Sequence, residues 1–322
     1  MQIKTIGVLT SGGDAPGMNA AIRSVVRTAI YRGMNVKGIV NGYEGLFNKE
    51  VIDMTDRSVS DIIHRGGTVL GTARSEKFRT KEGVKEAAQC CRELGIDGIV
   101  VIGGDGSFRG ARDLSLEGIP CVGIPATIDN DIASTEYTIG FDTAMNTACD
   151  MTDRLRDTAQ SHHRCSVVEV MGRHAGYLAY EVGTAVGATS ILVPEIEYDL
   201  QKDVIDRMNA AKEDGKKHFI IVVAENLCDT NALVKEIEEK TGVGSRLTIL
   251  GHIQRGGNPT VRDRVMATKM GFYAVELLKD GIGNRVVAYK NGEILNYDIY
   301  EALNMKKTLN ADDLHIAHRV SR

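Results

Sequence analysis

Residues 95–110 read GIDGIVVIGGDGSFRG, an apolar β-branched run that stops abruptly at paired glycines and an aspartate. Such a run, apolar at successive positions rather than at alternate ones, needs burial on both faces of a sheet. It describes a strand in a parallel sheet covered by helices, and the same pattern recurs outward in both directions. Candidate strands cover residues 3–9, 36–40, 96–102, 121–125, 166–171, 190–193, 219–224, 247–250 and 286–289. Helix-period segments lie between them, at 19–32, 83–94, 143–156, 201–213, 233–239 and 262–279. Strand and helix alternate over nearly the whole length, so the expected class is α/β, with helices on both faces of parallel sheets.

The chain has 322 residues, long enough for two domains. A soft boundary is expected near Phe141, where a long helical segment begins. Apolar residues make up 43% and charged residues 25%, an ordinary soluble balance. The net charge of -4 argues for neither a nucleic-acid nor an anionic-membrane partner. The sequence opens directly on a strand-like run, with no signal-peptide pattern, and no apolar run approaches the roughly 18 residues of a membrane span. Six cysteines show no CxxC and no zinc-site spacing, so reduced, mostly buried thiols and a cytoplasmic setting are expected.

Glycine is abundant, 35 residues against 5 prolines, and its doublets fall at the ends of apolar runs. In parallel α/β sheets ligands bind at the carboxyl ends of strands, so these loops are where chemistry is expected. The first is TSGGDAPGMNAAIR, residues 10–23, where backbone amides and a following helix N-terminus suit an anion. It is not a P-loop, since GxxxxGK[ST] occurs nowhere in the chain. The second is GGDGSFRG, residues 103–110, in which small residues clear space for phosphates and Asp105 can hold magnesium. The third is PATIDND, residues 125–131, with Asp129 and Asp131 two apart as a base and its assistant. Each loop alone could be a plain turn; together they form the equipment of phosphoryl transfer to a hydroxyl. Arginines follow the same placement. Arg74 ends HRGGTVLGTAR, Arg173 sits in MGRHAG, and His252 and Arg255 sit in LGHIQRGGNPT with Arg246 before it. A solvated arginine is the plain reading of each, but several after strands fit a phosphorylated substrate.

In this order and spacing, TSGGDAPGMNAAIR, RGGT, GGDGS, TIDND, MGR and LGHIQRGG resemble the bacterial 6-phosphofructokinases over residues 3–306. The resemblance implies the phosphofructokinase fold, with two Rossmann-like domains. The larger, ATP-binding domain would hold residues 1–140 and 255–304, and the smaller, sugar-phosphate domain residues 141–254 and 305–322. It implies transfer of the γ-phosphoryl of ATP to the 1-hydroxyl of fructose 6-phosphate. Asp129 would be the general base, with Thr127, Asp131, Arg74 and Arg173 at the transferring phosphoryl and Mg2+ on Asp105. Gly13, Arg74, Ser75, Gly104, Asp105, Gly106 and Ser107 would hold ATP. Thr127, Asp129, Met171, Gly172, Arg173, Glu225, His252 and Arg255 would bind the sugar phosphate. Arg164 and Arg246 would reach its phosphate across a subunit interface in a homotetramer.

Some positions depart from the family pattern. Ala126 stands where a glycine is usual, and pyrophosphate-using relatives carry lysine there and aspartate at the position of Gly106. Gly106 leaves room for an α-phosphate that an aspartate would repel, so ATP is the expected donor. Arg23, Arg27, Arg156, Lys216, Lys217 and His218 match the lining of a site for ADP or phosphoenolpyruvate as effectors. Asp56 and Asp214 replace cations there, and Thr189 replaces a glutamate, so weakened or altered control is expected. A pyrophosphate-dependent enzyme and a catalytically silent nucleotide-sensing subunit are the competing readings. Gly106 argues against the first; retention of Asp129, Asp131 and Arg74 argues against the second.

Overall fold

The apolar runs become the interior strands of two sheets in a computed structural model that describes residues 3–321, so the outermost bounds expected for the domains, residues 1 and 322, lie outside the described residues. In chain order the strands are β1 (Thr5–Ser11), β2 (Asn35–Ile39), β3 (Val51–Met54), β4 (Gly98–Gly103), β5 (Cys121–Pro125), β6 (Cys165–Val170), β7 (Ser190–Leu192), β8 (Phe219–Ala224), β9 (Ser245–Ile249), β10 (Arg285–Lys290) and β11 (Glu293–Asp298). The chain divides into two compact units. One holds the chain up to Ile128, Ile132–Thr143 and Arg255–Lys307; the other holds Asp129–Asp131, Ala144–Gln254 and the chain from Thr308.

The first unit is built on a seven-stranded sheet of order β11-β10-β5-β4-β1-β2-β3. Its five central strands are parallel, and β1, β4 and β5 are buried at every residue, as the unbroken apolar runs require. Two strands not expected from the sequence, β3 and β11, close the edges and run antiparallel to their neighbours. The β10–β11 reversal is a two-residue turn at Asn291 (φ 51) and Gly292 (φ 87), the left-handed pair that matches strand twist. Leu9, Ile39, Val101, Phe108, Leu114 and Val286 share the core on one side of this sheet. Each such side chain contributes about 1.5–3 kcal/mol by leaving water.

The second unit carries a four-stranded, wholly parallel sheet of order β7-β8-β6-β9. Val167, Leu192, Phe219, Ile221 and Val223 pack with Val204, Met208 and Ile237 from its helices. Helix Thr230–Thr241 starts where the Asp229 carboxylate accepts from the amides of Asn231 and Ala232, and stops at left-handed Gly242. The helix expected at 201–213 is split into a π-helix, Gln201–Asp206, and an α-helix, Arg207–Glu213. Helices Asp105–Leu116, Tyr177–Ala185 and Ala311–Val320 are present beyond those expected. No described helix is long and apolar enough to cross a membrane, and all six cysteines are free.

Candidate functional site

In the first unit β1 lies between β2 and β4, so strand order reverses between β1 and β4, and the loops leaving their carboxyl ends open a crevice suited to ligands. Into it lead Gly12 and Gly13 after β1, Gly104–Ser107 opening helix Asp105–Leu116 after β4, and Thr127 after β5. The loops are tied to one another. The Ala126 amide donates to the Gly103 carbonyl at 3.0 Å, and the Thr72 hydroxyl donates to the Gly12 carbonyl at 2.7 Å, placing the stretch that carries Arg74 and Ser75 beside the β1 loop. The Asn19 side chain holds the same Gly-rich stretch, donating to the carbonyls of Arg65 and Gly66 and accepting from the Val69 amide. Tyr43, stacked on Phe78 at 4.0 Å, donates its hydroxyl to the Ser107 carbonyl.

The glycines of the second loop divide by what surrounds them. A Cβ at Gly103 would lie 2.4 Å from the Ser11 carbonyl oxygen, so close packing requires glycine there. A Cβ at Gly104 or Gly106 would meet nothing within 4 Å, and neither residue has positive φ. Neither packing nor backbone conformation requires glycine at those two positions. Gly13 is different again: its Cβ would fall 2.0 Å from Nη2 of Arg255, whose Nη1 lies 3.9 Å from the Asp14 carboxylate. The structure therefore brings expected nucleotide and sugar-phosphate residues together at this point.

Among the described residues no cluster of three His, Cys, Asp or Glu side chains could cage a metal ion. Magnesium is commonly held by one or two carboxylates together with substrate phosphates, and keeps several waters. Asp105, a hard oxygen donor between the two uncrowded glycines at a helix N-terminus, fits that arrangement.

In the second unit β6 lies between β8 and β9, and the loops at their carboxyl ends carry Met171, Gly172 and Arg173, then Glu225, then His252. Glu225 Oε1 accepts from the amides of Gly172 (3.1 Å) and Arg173 (2.6 Å), while the Asn226 side chain donates to the Arg173 carbonyl at 2.9 Å. These bonds hold Arg173 at φ 61, a left-handed conformation uncommon for a side chain of its size. Fully buried Gln254 accepts from the Met171 amide and donates to the Gly251 carbonyl, fastening the β6 and β9 loops together. Asp131, in this unit with Asp129, contributes to pushing the Tyr177 hydroxyl up to about 12, after burial and Glu195. Gln254, Asn226, Asn19 and Tyr177 are absent from the expected site. Gln254 and Asn19 had a local signal, as uncharged residues inside LGHIQRGG and TSGGDAPGMNAAIR.

Arg164 and Arg246 are not brought to these loops. They stand at the amino ends of β6 and β9, and exposed Arg246 donates from Nη1 to the Ser245 carbonyl at 2.7 Å, that nitrogen lying 3.8 Å from the Glu238 carboxylate. The expected effector residues fall in two groups. Arg23 and Arg27 lie one turn apart on helix Met18–Tyr31, and burial followed by the Arg27 charge lowers the Arg23 pKa. In the second unit Arg156 donates to the Val186 carbonyl and Lys216 to the Ser321 carbonyl. Burial, then Arg156 and Lys216, lowers the pKa of His218, beside Lys217, and the buried Thr189 hydroxyl has no hydrogen-bond partner among the described residues.

A family model described as phosphofructokinase matches residues 5–278. The chain is similar to a protein of Clostridium botulinum (strain Loch Maree / Type A3) named ATP-dependent 6-phosphofructokinase, 54% identical over 99% of this chain and the whole of that one. A Clostridium tetani protein of the same name is 53% identical over the same shares. Among solved structures, phosphofructokinase from Saccharomyces cerevisiae superposes with TM-score 0.89 at 34% identity, covering 99% of this chain and 48% of that chain, so the chain spans about half the yeast chain's length. A pyrophosphate-dependent phosphofructokinase from Marinobacter aquaeolei, 22% identical over 99% of this chain and 91% of that chain, shares the fold with TM-score 0.85. Glycine-lined loops at one strand reversal and an arginine loop braced by a glutamate at the other thus occur in a sequence alike from end to end to these enzymes, and the chain belongs to the phosphofructokinase family.

Proposed function

We propose that the chain is an ATP-dependent 6-phosphofructokinase of the cytoplasm. It transfers the γ-phosphoryl of ATP to the 1-hydroxyl of fructose 6-phosphate, giving fructose 1,6-bisphosphate and ADP. Asp129 takes the hydroxyl proton as that oxygen bonds to the γ-phosphorus, and the bond from γ-phosphorus to the β,γ-bridging oxygen breaks, leaving ADP. Thr127 and Asp131 flank the phosphoryl, and Arg74 and Arg173 offset its charge. Asp105 would hold Mg2+, which supplies charge neutralisation at the β- and γ-phosphates. Gly13, Ser75, Gly104, Gly106 and Ser107 receive the nucleotide; Met171, Gly172, Glu225, His252 and Arg255 receive the sugar phosphate. We assign Arg164 and Arg246 to the sugar phosphate of a second copy in a homotetramer, and Arg23, Arg27, Arg156, Lys216, Lys217 and His218 to ADP or phosphoenolpyruvate.

The observation that carries the donor assignment is the free space around Gly104 and Gly106, where glycine serves no packing purpose. The test is a coupled assay of fructose 1,6-bisphosphate formation with magnesium, comparing ATP with pyrophosphate, on the wild type and Asp129→Ser. Activity with ATP alone, falling at least ~100-fold in kcat on Asp129→Ser, is the expected result. Activity only with pyrophosphate overturns the donor, unchanged turnover overturns the base, and silence with both substrates supports a nucleotide sensor.

A further inference from the structure

Asp263 is fully buried at the start of helix Val261–Lys279 and has no ion-pair partner among the described residues. Oδ1 accepts from the Tyr137 hydroxyl at 2.5 Å and the Gly140 amide at 2.7 Å. Oδ2 accepts from the Thr143 amide at 2.9 Å and the Thr143 hydroxyl at 2.5 Å. A buried carboxylate without a cation is costly unless hydrogen bonds replace its hydration; here four donors do so in part, and burial still holds the pKa above the ordinary carboxylate value. All four come from residues 137–143, so the charge is used to fix the path of that one segment.

The segment in turn grips the loop after β5. The Ile139 amide donates to the Pro125 carbonyl at 3.0 Å, and the Thr138 hydroxyl donates to the Thr127 carbonyl at 2.7 Å. Ala126, between those acceptors, donates to Gly103 of the β4 loop. On its other side the segment meets the loop after β1: a Cβ at Gly17 would fall 2.6 Å from Ile139, and one at Gly140 2.7 Å from Ala15. One carboxylate thus anchors a strap in contact with the loops after β5 and β1, and tied through Ala126 to the loop after β4.

We infer that Asp263 is a positioning residue for phosphoryl transfer, acting through Thr138 on the Thr127 carbonyl and so on the aspartate two residues beyond it. This role presupposes Asp129 as the base. None of residues 137–143 is assigned to a substrate, and the strap's side-chain bond falls on the loop that carries the base, so loosening it should lower kcat more than it raises either KM. A displacement of about 1 Å at a reacting group costs on the order of 100-fold in rate.

The test is steady-state kinetics and thermal unfolding of Asp263→Asn, Thr138→Val, Thr138→Ser and the double variant Asp263→Asn/Thr138→Val, with Asp129→Ser alongside. Asparagine keeps the shape of Asp263 but turns an N–H towards donors that need an acceptor. Thr138→Val should lower kcat by about 10- to 100-fold, with both KM values within about 3-fold and little change in Tm. Thr138→Ser keeps the donor and should keep kcat. The double variant should be no slower than the slower single one, because the two residues act in series. A lowered Tm with kcat unchanged in Thr138→Val and Asp263→Asn would mean a merely structural carboxylate and overturn the inference. If Asp263→Asn does not fold, the valine–serine pair at Thr138 decides. Full turnover in Asp129→Ser removes the base assignment and this role with it; loss there, with kcat intact in Asp263→Asn and Thr138→Val, refutes the positioning role alone.

Discussion

Replacing Gly106 by alanine should make the protein more stable and a worse enzyme at once. The residue is the second in helix Asp105–Leu116, its φ is not positive, and an added Cβ meets nothing within 4 Å. A methyl there strains nothing in the free protein and restricts the unfolded chain, a gain of about 0.5–1 kcal/mol. For a chain of 322 residues that raises Tm by about 1 °C. The same methyl occupies the space in which loop amides would approach the nucleotide phosphates. Loss of about 1.4 kcal/mol in binding is a tenfold effect, so KM for ATP should rise at least ~10-fold while KM for fructose 6-phosphate holds. Gly103→Ala is the contrast, because its Cβ would lie 2.4 Å from the Ser11 carbonyl oxygen and should lower Tm. Thermal unfolding without ligand, followed by kinetics with ATP varied at saturating sugar phosphate, separates the effects. A raised Tm with an unchanged KM for ATP would refute the reasoning, since glycine at 106 would then serve neither fold nor ligand.

His318 accepts from the Ile191 amide at 3.1 Å, and burial followed by Arg207 lowers its pKa from 6.5 to about 4. The unfolded chain binds that proton first, so its stabilising contribution is complete above about pH 6.5 and is lost as pH falls towards 4. Urea titrations should show about 1 kcal/mol lost from this group between pH 7 and 5.5, a slope that His318→Gln flattens. Asp56 and Asp214 stand in the sequence where the resemblance expects cations, and Arg156 and Lys216 already donate to carbonyls of their own unit. At subsaturating fructose 6-phosphate, ADP or phosphoenolpyruvate should change the rate by less than about 2-fold, and strong responses at micromolar effector contradict this. Gly123→Ala places a Cβ 2.6 Å from the Phe108 ring in the middle of β5 and should destabilise by about 1–3 kcal/mol in a thermal or urea melt.

The interior of both sheets was legible because burial on two faces leaves an unmistakable trace, the unbroken apolar run. The edges were not. VIDM of β3 is half-exposed and too short to show a period, and EILNYD of β11 alternates weakly. The Asn291-Gly292 pair before β11 was a usable sign, since a two-residue turn with both residues left-handed favours that dipeptide. Helix Asp105–Leu116 begins inside a glycine-rich loop, and propensity alone would not start a helix at Asp-Gly-Ser. The charged site residues could be named from motifs, but those that hold them could not. Asn19, Gln254 and Asp263 bond groups far away in sequence, and although Asn19 and Gln254 lie inside motifs, nothing local marks them as buried braces.

Strand polarity separates two kinds of phosphate-binding candidate that look alike in sequence. Arg173, Glu225 and His252 leave the carboxyl ends of β6, β8 and β9, where three neighbouring loops converge within one unit. Arg164 and Arg246 stand at the amino ends of β6 and β9, a full strand length away in the same sheet. At about 3.3 Å per residue, five paired residues separate the two ends by more than an arginine side chain can reach. An arginine at the amino end therefore cannot share a ligand with the carboxyl-end loops of its own unit. The proposal that these two arginines serve another copy rests on that distance, so mixing Arg246→Ser chains with Asp129→Ser chains is its natural complement. Hybrid assemblies with one intact site should regain turnover, and failure to regain any would return Arg246 to the ordinary solvated surface.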